Sequence, residues 1–292
     1  MNHLDKNKFY LNIKKSFNKA APAYAQNAVL QFEVGQRLIE RLDFFTLQPE
    51  CILDLGIGTG NVTHLLANKY PKAHTIGLDF AESMLQEAKN NESSISLLCA
   101  DFNHIPLPDN SVDLIFSNFT MQWSENITKL YKECYRVLKT NGLLFFSIPG
   151  PETLVELRTA LHHVDPQYDH INNFIDMHDL GDILVQNKFA HPVMDNDHFV
   201  LTYSNVINML KDIKIIGANT KLTHNPRASL LGKGKFNSLT SAYEQFRQID
   251  GKYPLTYEIV YGHAFKLAKP PKVKHPELSE VVVPIEKIIR KN

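Results

Sequence analysis

Between residues 51 and 147, short apolar runs alternate with longer stretches in which apolar residues recur at helical spacing. The runs 52–55, 75–78, 95–99, 112–117 and 143–147 are bounded by turn residues and apolar enough to be strands buried on both faces. Helical periodicity follows the first run through Val62, Leu65 and Leu66. It follows the second through Met84, Leu85 and Ala88, with the helix beginning at Glu82. After the fourth it passes through Leu130, Tyr131, Cys134, Val137 and Leu138 and stops at the Asn-Gly turn of 139–142. Strands alternating with helices predict a doubly wound, mostly parallel α/β sheet.

The flanks read differently. Residues 14–42 have helical spacing through Phe17, Ala21, Tyr24, Val29, Leu30, Val34, Leu38 and Ile39, interrupted by Pro22. This predicts a short helix, a break at the proline and a longer helix. Residues 1–45 are expected to form a helical lid on the same domain, with Tyr24 pointing inward. Past the Pro-Gly-Pro of 149–151, helices are predicted over 153–164 and 174–190, the second entering near Asp176, so that about 151–190 forms a helical insertion. Strand-like 192–195 and 199–203, a helix over 204–213 and a central strand over 257–265 complete a main domain of 46–268. The Pro- and Lys-rich tail 269–292 is expected to be loose.

Charge changes the picture in one place. Lys plus Arg and Asp plus Glu are 31 each, so the overall field favours neither nucleic acid nor a membrane as partner. Residues 211–235 nevertheless carry six basic residues, among them Lys211, Lys214, Lys221 and Arg227, against the single acid Asp212, a local charge of +5. Cys51, Cys99 and Cys134 are odd in number and lack metal or redox spacing, as expected of reduced thiols in the cytoplasm. His162, His163 and His170 form no metal-ligand pattern, and no apolar stretch approaches the roughly 20 residues of a membrane helix.

The candidate chemistry gathers at the first strand. Asp54 and Leu55 run into Gly56-Ile57-Gly58-Thr59-Gly60, where a sharp turn without side chains lets a ligand lie against the main chain. Asp79, ending the second strand, is placed to accept hydrogen bonds from ribose hydroxyls. Asp101, beyond the third, is placed to bind an adenine amino group, with Phe102 against the ring. The ligand predicted is a nucleoside, and G-x-G-x-G differs from the dinucleotide fingerprint. Residues 53–60, LDLGIGTG, resemble the first motif of class I S-adenosylmethionine-dependent methyltransferases. That resemblance implies a seven-stranded Rossmann-like sheet ending in an antiparallel pair, and S-adenosylmethionine as methyl donor. The donor site expected comprises Tyr24, Asp54, Gly56, Ile57, Gly58, Gly60, Asp79, Phe80, Met84, Asp101, Phe102 and Asn118.

Further segments resemble the malonyl-carrier-protein O-methyltransferases of biotin synthesis: FNKAAPAY at 17–24, SNFTMQW at 117–123, FIDMHDLGD at 174–182, PVMD at 192–195, GAN at 217–219 and YEIVYGHA at 257–264. The resemblance implies methyl transfer to the free carboxylate of a malonyl thioester on acyl carrier protein or coenzyme A. Carrier proteins are acidic, so Lys211, Lys214, Lys221 and Arg227 become the expected docking surface. A carboxylate is already ionised near neutral pH, so no general base is expected. Tyr24, Asn118, Gln122, Trp123, His170 and Arg227 are the candidates to hold it, Tyr24 by its place in the lid motif and Arg227 by charge. The same site suits a carboxyl methyltransferase for a small free acid. The closing motifs also resemble respiratory complex I assembly factors of this fold, which are arginine hydroxylase-like.

Overall fold

The structure is a computed structural model that describes residues 3–91, 94–168, 170–215 and 233–268. Two helices, α1 (His3–Asn27) and α2 (Val29–Arg41), precede the alternating unit. That unit runs β1 (Cys51–Leu55), α3 (Asn61–Lys69), β2 (His74–Asp79), α4 (Glu82–Asn91), β3 (Ser96–Cys99), β4 (Val112–Asn118), α5 (Ile127–Val137) and β5 (Leu138–Pro149). Then come α6 (Val155–Val164), α7 (Met177–Gln186), β6 (Ala190–Tyr203), α8 (Val206–Ile215), α9 (Lys233–Tyr243) and β7 (Tyr253–Phe265).

The seven strands form one sheet in the order β3-β2-β1-β4-β5-β7-β6. The pairs among β1 to β5 are parallel, and β7 runs antiparallel to both β5 and β6. Alternate side chains of each central strand go to opposite faces. Ile52, Leu114, Phe116, Leu143 and Phe145 join the core under α2, α6, α8 and α9. Leu53, Leu55, Ile115, Leu144 and Phe146 join the one under α5 and α7. Both faces are therefore covered, which is why these strands read as continuous apolar runs. Strand order reverses between β1 and β4, so their carboxyl ends flank the crevice where ligands of such sheets bind.

Three expectations change. The break between the first two helices falls not at Pro22 but at Ala28, whose φ of −82° and ψ of 47° leave the helical region. Pro22 is exposed, so the carbonyl its missing N–H leaves unpaired can meet water, and α1 continues through it. The two strand-like pieces after α7 are one strand, β6, paired along β7 with a shift of register between Ala190 and Val193. β5 begins at Leu138 rather than Leu143, directly at the end of α5, and absorbs the extra residues in an irregularity opposite 112–114. The Gly-Ala-Asn motif, Lys221, Arg227 and the tail lie outside the described residues. Among the described residues no helix is long and apolar enough to cross a membrane.

The lid helix α1 lies along α4. Ala20 and Ala21 pack on Ala81 and Met84, and the Asn18 side chain accepts a hydrogen bond from the Ser83 amide at 2.9 Å. A free amide in the first turn of α4 is thus capped from the lid. Replacing Asn18→Ala removes that clasp, a loss of about 1 kcal/mol. Hydrogen exchange should then speed up in the α1 amides while those of β1 stay protected; unchanged exchange in α1 would show that the clasp does not hold the lid.

Candidate active site

The glycine turn after β1 is tied to the end of β2. Gly56 and Ile57 donate their amides to the Leu78 carbonyl at 2.7 and 3.0 Å, and Gly58 donates to Asp79 Oδ2 at 3.0 Å. Gly56 has φ +88°, and a Cβ there would lie 2.0 Å from the Thr120 hydroxyl oxygen, so no side chain fits. A Cβ on Gly58 would meet only the Tyr24 ring, at 3.9 Å. Main chain is thereby bared to a cleft of about 500 Å³ between the turn, Asp54, Asn118 and the lid residues Tyr24, Gln31 and Phe32.

A second cleft of about 600 Å³ adjoins the first and shares Tyr24 and Gln31 with it. Its remaining walls are Phe17, Phe119, Gln122, Trp123, Pro149, Thr153, Leu154, Asn172, Phe174, Ile213 and Tyr257, none of which carries a charge. Phe17 of the lid packs edge-to-face on Trp123 at 5.4 Å and on Phe80 at 6.1 Å between ring centroids. It thereby joins the wall of the second cleft to Phe80. A third hollow, bounded by Tyr10, Lys14, Phe80, Ala100 and Asp101, lies beyond the ends of β2 and β3.

The residues named from the sequence fall into three groups. Tyr24, Asp54, Gly56, Ile57, Gly58 and Asn118 line the first cleft, Gln122 and Trp123 the second, and Phe80 and Asp101 the third. Met84 and Phe102 are buried behind these surfaces. Met84 lies beneath α1, and Phe102 is buried in T-shaped contact with Tyr10 and Phe80, so Phe80 rather than Phe102 lines the hollow. Gly60 packs toward Ala88 of α4 rather than into a cleft.

The polar atoms of several candidates are already engaged. Asn118 donates to the Gln31 carbonyl at 2.8 Å and accepts from the Ser147 hydroxyl at 2.7 Å, holding α2 against β4 and β5. Asp101 accepts from the Asn103 amide and side chain at 2.8 and 2.9 Å. Gln122 donates one Nε2 hydrogen to the Phe119 carbonyl at 2.8 Å, and its Oε1 is buried with no partner among the described residues. His170 is corrected outright: its Nε2 pairs with Asp165 at 3.0 Å, Lys235 joins the same carboxylate at 2.8 Å, and the ring lines neither cleft. Tyr24 stays a protonated donor, since burial and then the nearby Asp79 push its phenol well above the usual tyrosine range.

Sequence reasoning missed much of the second cleft: Gln31, Thr153, Leu154, Asn172, Ile213 and Tyr257. Phe119, Phe174 and Tyr257 do lie inside the family-like segments, which is the signal that could have found them. Leu154 and Phe119 adopt φ values of 60° and 51°, left-handed conformations without a residue type to announce them.

Asp54 is 3% exposed. Burial pushes its carboxyl up to about 7, against a hydrogen bond donated by Thr63 at 2.5 Å and with the help of Asp79. Burial also raises Asp79 to about 6, opposed by backbone amides that include Ala81 and Gly58 and by Lys14. A carboxyl held above its ordinary value stabilises the fold while protonated. That contribution is present at low pH and is lost as pH rises from about 4, the unfolded value, through the folded one. The variant Asp54→Asn should therefore gain more in Tm at about pH 8 than at about pH 6. Equal gains at both values, measured without ligand, would contradict the assigned burial cost.

Comparison with known proteins agrees with this geometry. Residues 53–146 match the family model described as a methyltransferase domain. The chain is 46% identical over 265 residues to the malonyl-[acyl-carrier protein] O-methyltransferase of Gallionella capsiferriformans, covering 88% of this chain and 90% of that one. It is 39% identical to malonyl-[acyl-carrier protein] O-methyltransferase 1 of Coxiella burnetii, with 96% of each chain covered. Among solved structures, the YcgJ protein of Bacillus subtilis superposes with a TM-score of 0.54 at 16% identity, over 80% of this chain and 98% of that one. Haemonchus contortus phosphoethanolamine N-methyltransferase 2, solved with S-adenosylhomocysteine, superposes at 0.51 and 16% identity, over 81% of this chain and 53% of that one. These two share the fold. With relatives of such identity aligned over nearly its whole length, the chain belongs to the malonyl-[acyl-carrier protein] O-methyltransferase family, enzymes that take their methyl group from S-adenosylmethionine.

Proposed function

We propose that the protein methylates the free carboxylate of a malonyl thioester on acyl carrier protein, in the cytoplasm, giving the methyl ester that begins the pimeloyl chain of biotin synthesis. The observation that carries this reading is the second cleft. It opens beside the glycine turn, meets the first cleft at Tyr24, and has no charged residue in its wall among the described residues. S-adenosylmethionine fits the first cleft: Gly58 bares main chain to it, and Asp54 supplies negative charge for a sulfonium or ammonium group. The hollow at Phe80 and Asp101 suits its base.

The step needs no proton transfer. A carboxylate oxygen forms a bond to the methyl carbon as the bond from carbon to sulfur breaks, and S-adenosylhomocysteine leaves as a neutral thioether. An anion and a cation cancel in the transition state, so rate comes from aligning oxygen, carbon and sulfur and from excluding water. The aromatic seal of Phe17, Phe80 and Trp123 serves the exclusion. Neutral donors suit the carboxylate better than a cation would, because a strong ion pair would hold the substrate more than the transition state, in which its charge is disappearing. Tyr24, protonated and at the junction, is the first of them, followed by the indole N–H of Trp123.

Helix α8 supports docking of an acidic carrier. Ile213 lines the second cleft, while Lys211 and Lys214 on the same helix are exposed. Positive charge on the helix that lines the cleft would steer the carrier toward it.

Incubation with methyl-labelled S-adenosylmethionine and malonyl-carrier protein should yield a base-labile ester on the carrier. Label on free malonate alone, or binding of the donor without transfer, would overturn the reading. The variant Tyr24→Phe should lower kcat about tenfold, as expected for the loss of one well-placed hydrogen bond, with donor affinity nearly intact; full turnover would remove Tyr24 from this role. Reversing Lys211 and Lys214 to Glu should raise KM several-fold for the carrier substrate and little for malonyl coenzyme A, and equal effects on both would argue against this dock.

A further inference from the structure

Gln122, which lines the second cleft, has a buried polar atom without a partner among the described residues. Gln122 sits in the single 3₁₀ turn Met121–Trp123 that follows β4. Its Nε2 donates to the Phe119 carbonyl at 2.8 Å. This hydrogen bond sets the orientation of the amide, because the reverse would put oxygen against oxygen. Oε1 is buried and accepts from nothing. An unpaired buried acceptor costs about 1–3 kcal/mol, and such exceptions call for a ligand, a water or a strained function to explain them.

The reacting carboxylate cannot be that ligand. It offers only acceptors, and two acceptors facing each other repel. What Oε1 needs is a neutral donor, presented in a cleft whose other walls are largely aromatic and aliphatic. On the malonyl-thioester reading, on which this inference rests, the substrate carries one. Beyond the thioester sulfur, two methylene groups lead to the first secondary amide of the pantetheine arm, common to acyl carrier protein and coenzyme A.

We propose that Gln122 Oε1 accepts a hydrogen bond from this amide N–H. Gln122 is then a positioning residue that reads the arm of the substrate, while the carboxylate lies at Tyr24 and Trp123. The division has a chemical logic. A contact to the arm does not weaken as the carboxylate loses its charge, so it holds the acceptor in line through the transfer without favouring the charged ground state. It also selects thioester-borne malonyl groups over free malonate, which lacks the donor: a site built to bond an N–H leaves a buried group unpaired when the N–H is missing.

Two small substrates separate this from other roles for Gln122. One is the malonyl thioester of N-acetylcysteamine, which carries the amide N–H. The other is the malonyl thioester of 2-mercaptoethyl acetate, in which an ester oxygen replaces that N–H and the shape is kept. The unaltered enzyme should prefer the amide in kcat/KM by about fivefold or more, the worth of one neutral hydrogen bond. In Gln122→Met, of similar volume and with no acceptor of comparable strength, the preference should fall to about one, whatever the absolute rate, because general damage from losing the Phe119 contact cancels in the ratio. An unaltered enzyme that methylates both thioesters equally, or a preference that survives in Gln122→Met, would overturn the proposal alone. Methylation of neither thioester, nor of malonyl-carrier protein, would overturn the malonyl reading and the proposal with it.

Discussion

The site depends on how the glycine turn is fastened to the neighbouring strand. Three consecutive amides after β1 are taken up at the end of β2, two by the Leu78 carbonyl and the third by Asp79. The turn is thereby held open on the Gly58 side and closed on the Gly56 side, where Thr120 fills the space a side chain would need. Asp79 also caps the loop into α4 through the Ala81 amide, so one carboxylate sets the relation of turn, strand and helix. The arrangement costs stability, since two carboxyls are buried close together and both are pushed toward neutrality. Such strained titration is common where a site is kept ready for a charged ligand.

Over this fixed floor lies a lid attached by different forces. α1 is held by packing of small residues on α4, by Ile13 fully buried in the core under α5 and α7, by hydrogen bonds at Ser83 and from Asn103 to the Tyr10 hydroxyl, and by the Phe17 ring against Phe80 and Trp123. Tyr24 of α1 and Gln31 of α2 border both clefts, so the N-terminal helices wall off donor and acceptor sides together. The second cleft is a joint product of the lid, the β4 carboxyl end, the start of α6 and α8, and no single element would reveal it.

That difference explains what was legible beforehand. The parallel half of the sheet is readable in the sequence because both faces are buried, and apolar runs with glycine, proline and asparagine between them leave little ambiguity. The glycine turn is readable for a related reason, since Gly56 and Gly58 act through backbone geometry. Asp79, expected to face a ribose, instead has both carboxylate oxygens on the amides of Gly58 and Ala81 and lines none of the three hollows. Pro22 misleads because a proline is tolerated where its turn faces water. Phe102 misleads because the position after a strand does not say which neighbouring ring turns outward, and Phe80 does. The acceptor wall is the least legible part. Thr153, Asn172, Ile213 and Tyr257 come from four separate segments, two of them bracketing β6, and have no spacing in common. His170 reads as a candidate to hold the carboxylate, yet its ring is paired with Asp165, which Lys235 also contacts.

The central claim is that donor and acceptor meet at Tyr24, each entering by its own cleft, and that the acceptor is a carboxylate held without a cation. A crystal structure of the protein with S-adenosylhomocysteine and malonyl coenzyme A tests it most directly. The account predicts the thioether sulfur beside Gly58 and a malonyl carboxylate oxygen facing it from the cleft of Tyr24 and Trp123, with no lysine or arginine in contact. A malonyl group seated elsewhere, or paired with a cationic side chain, would contradict it.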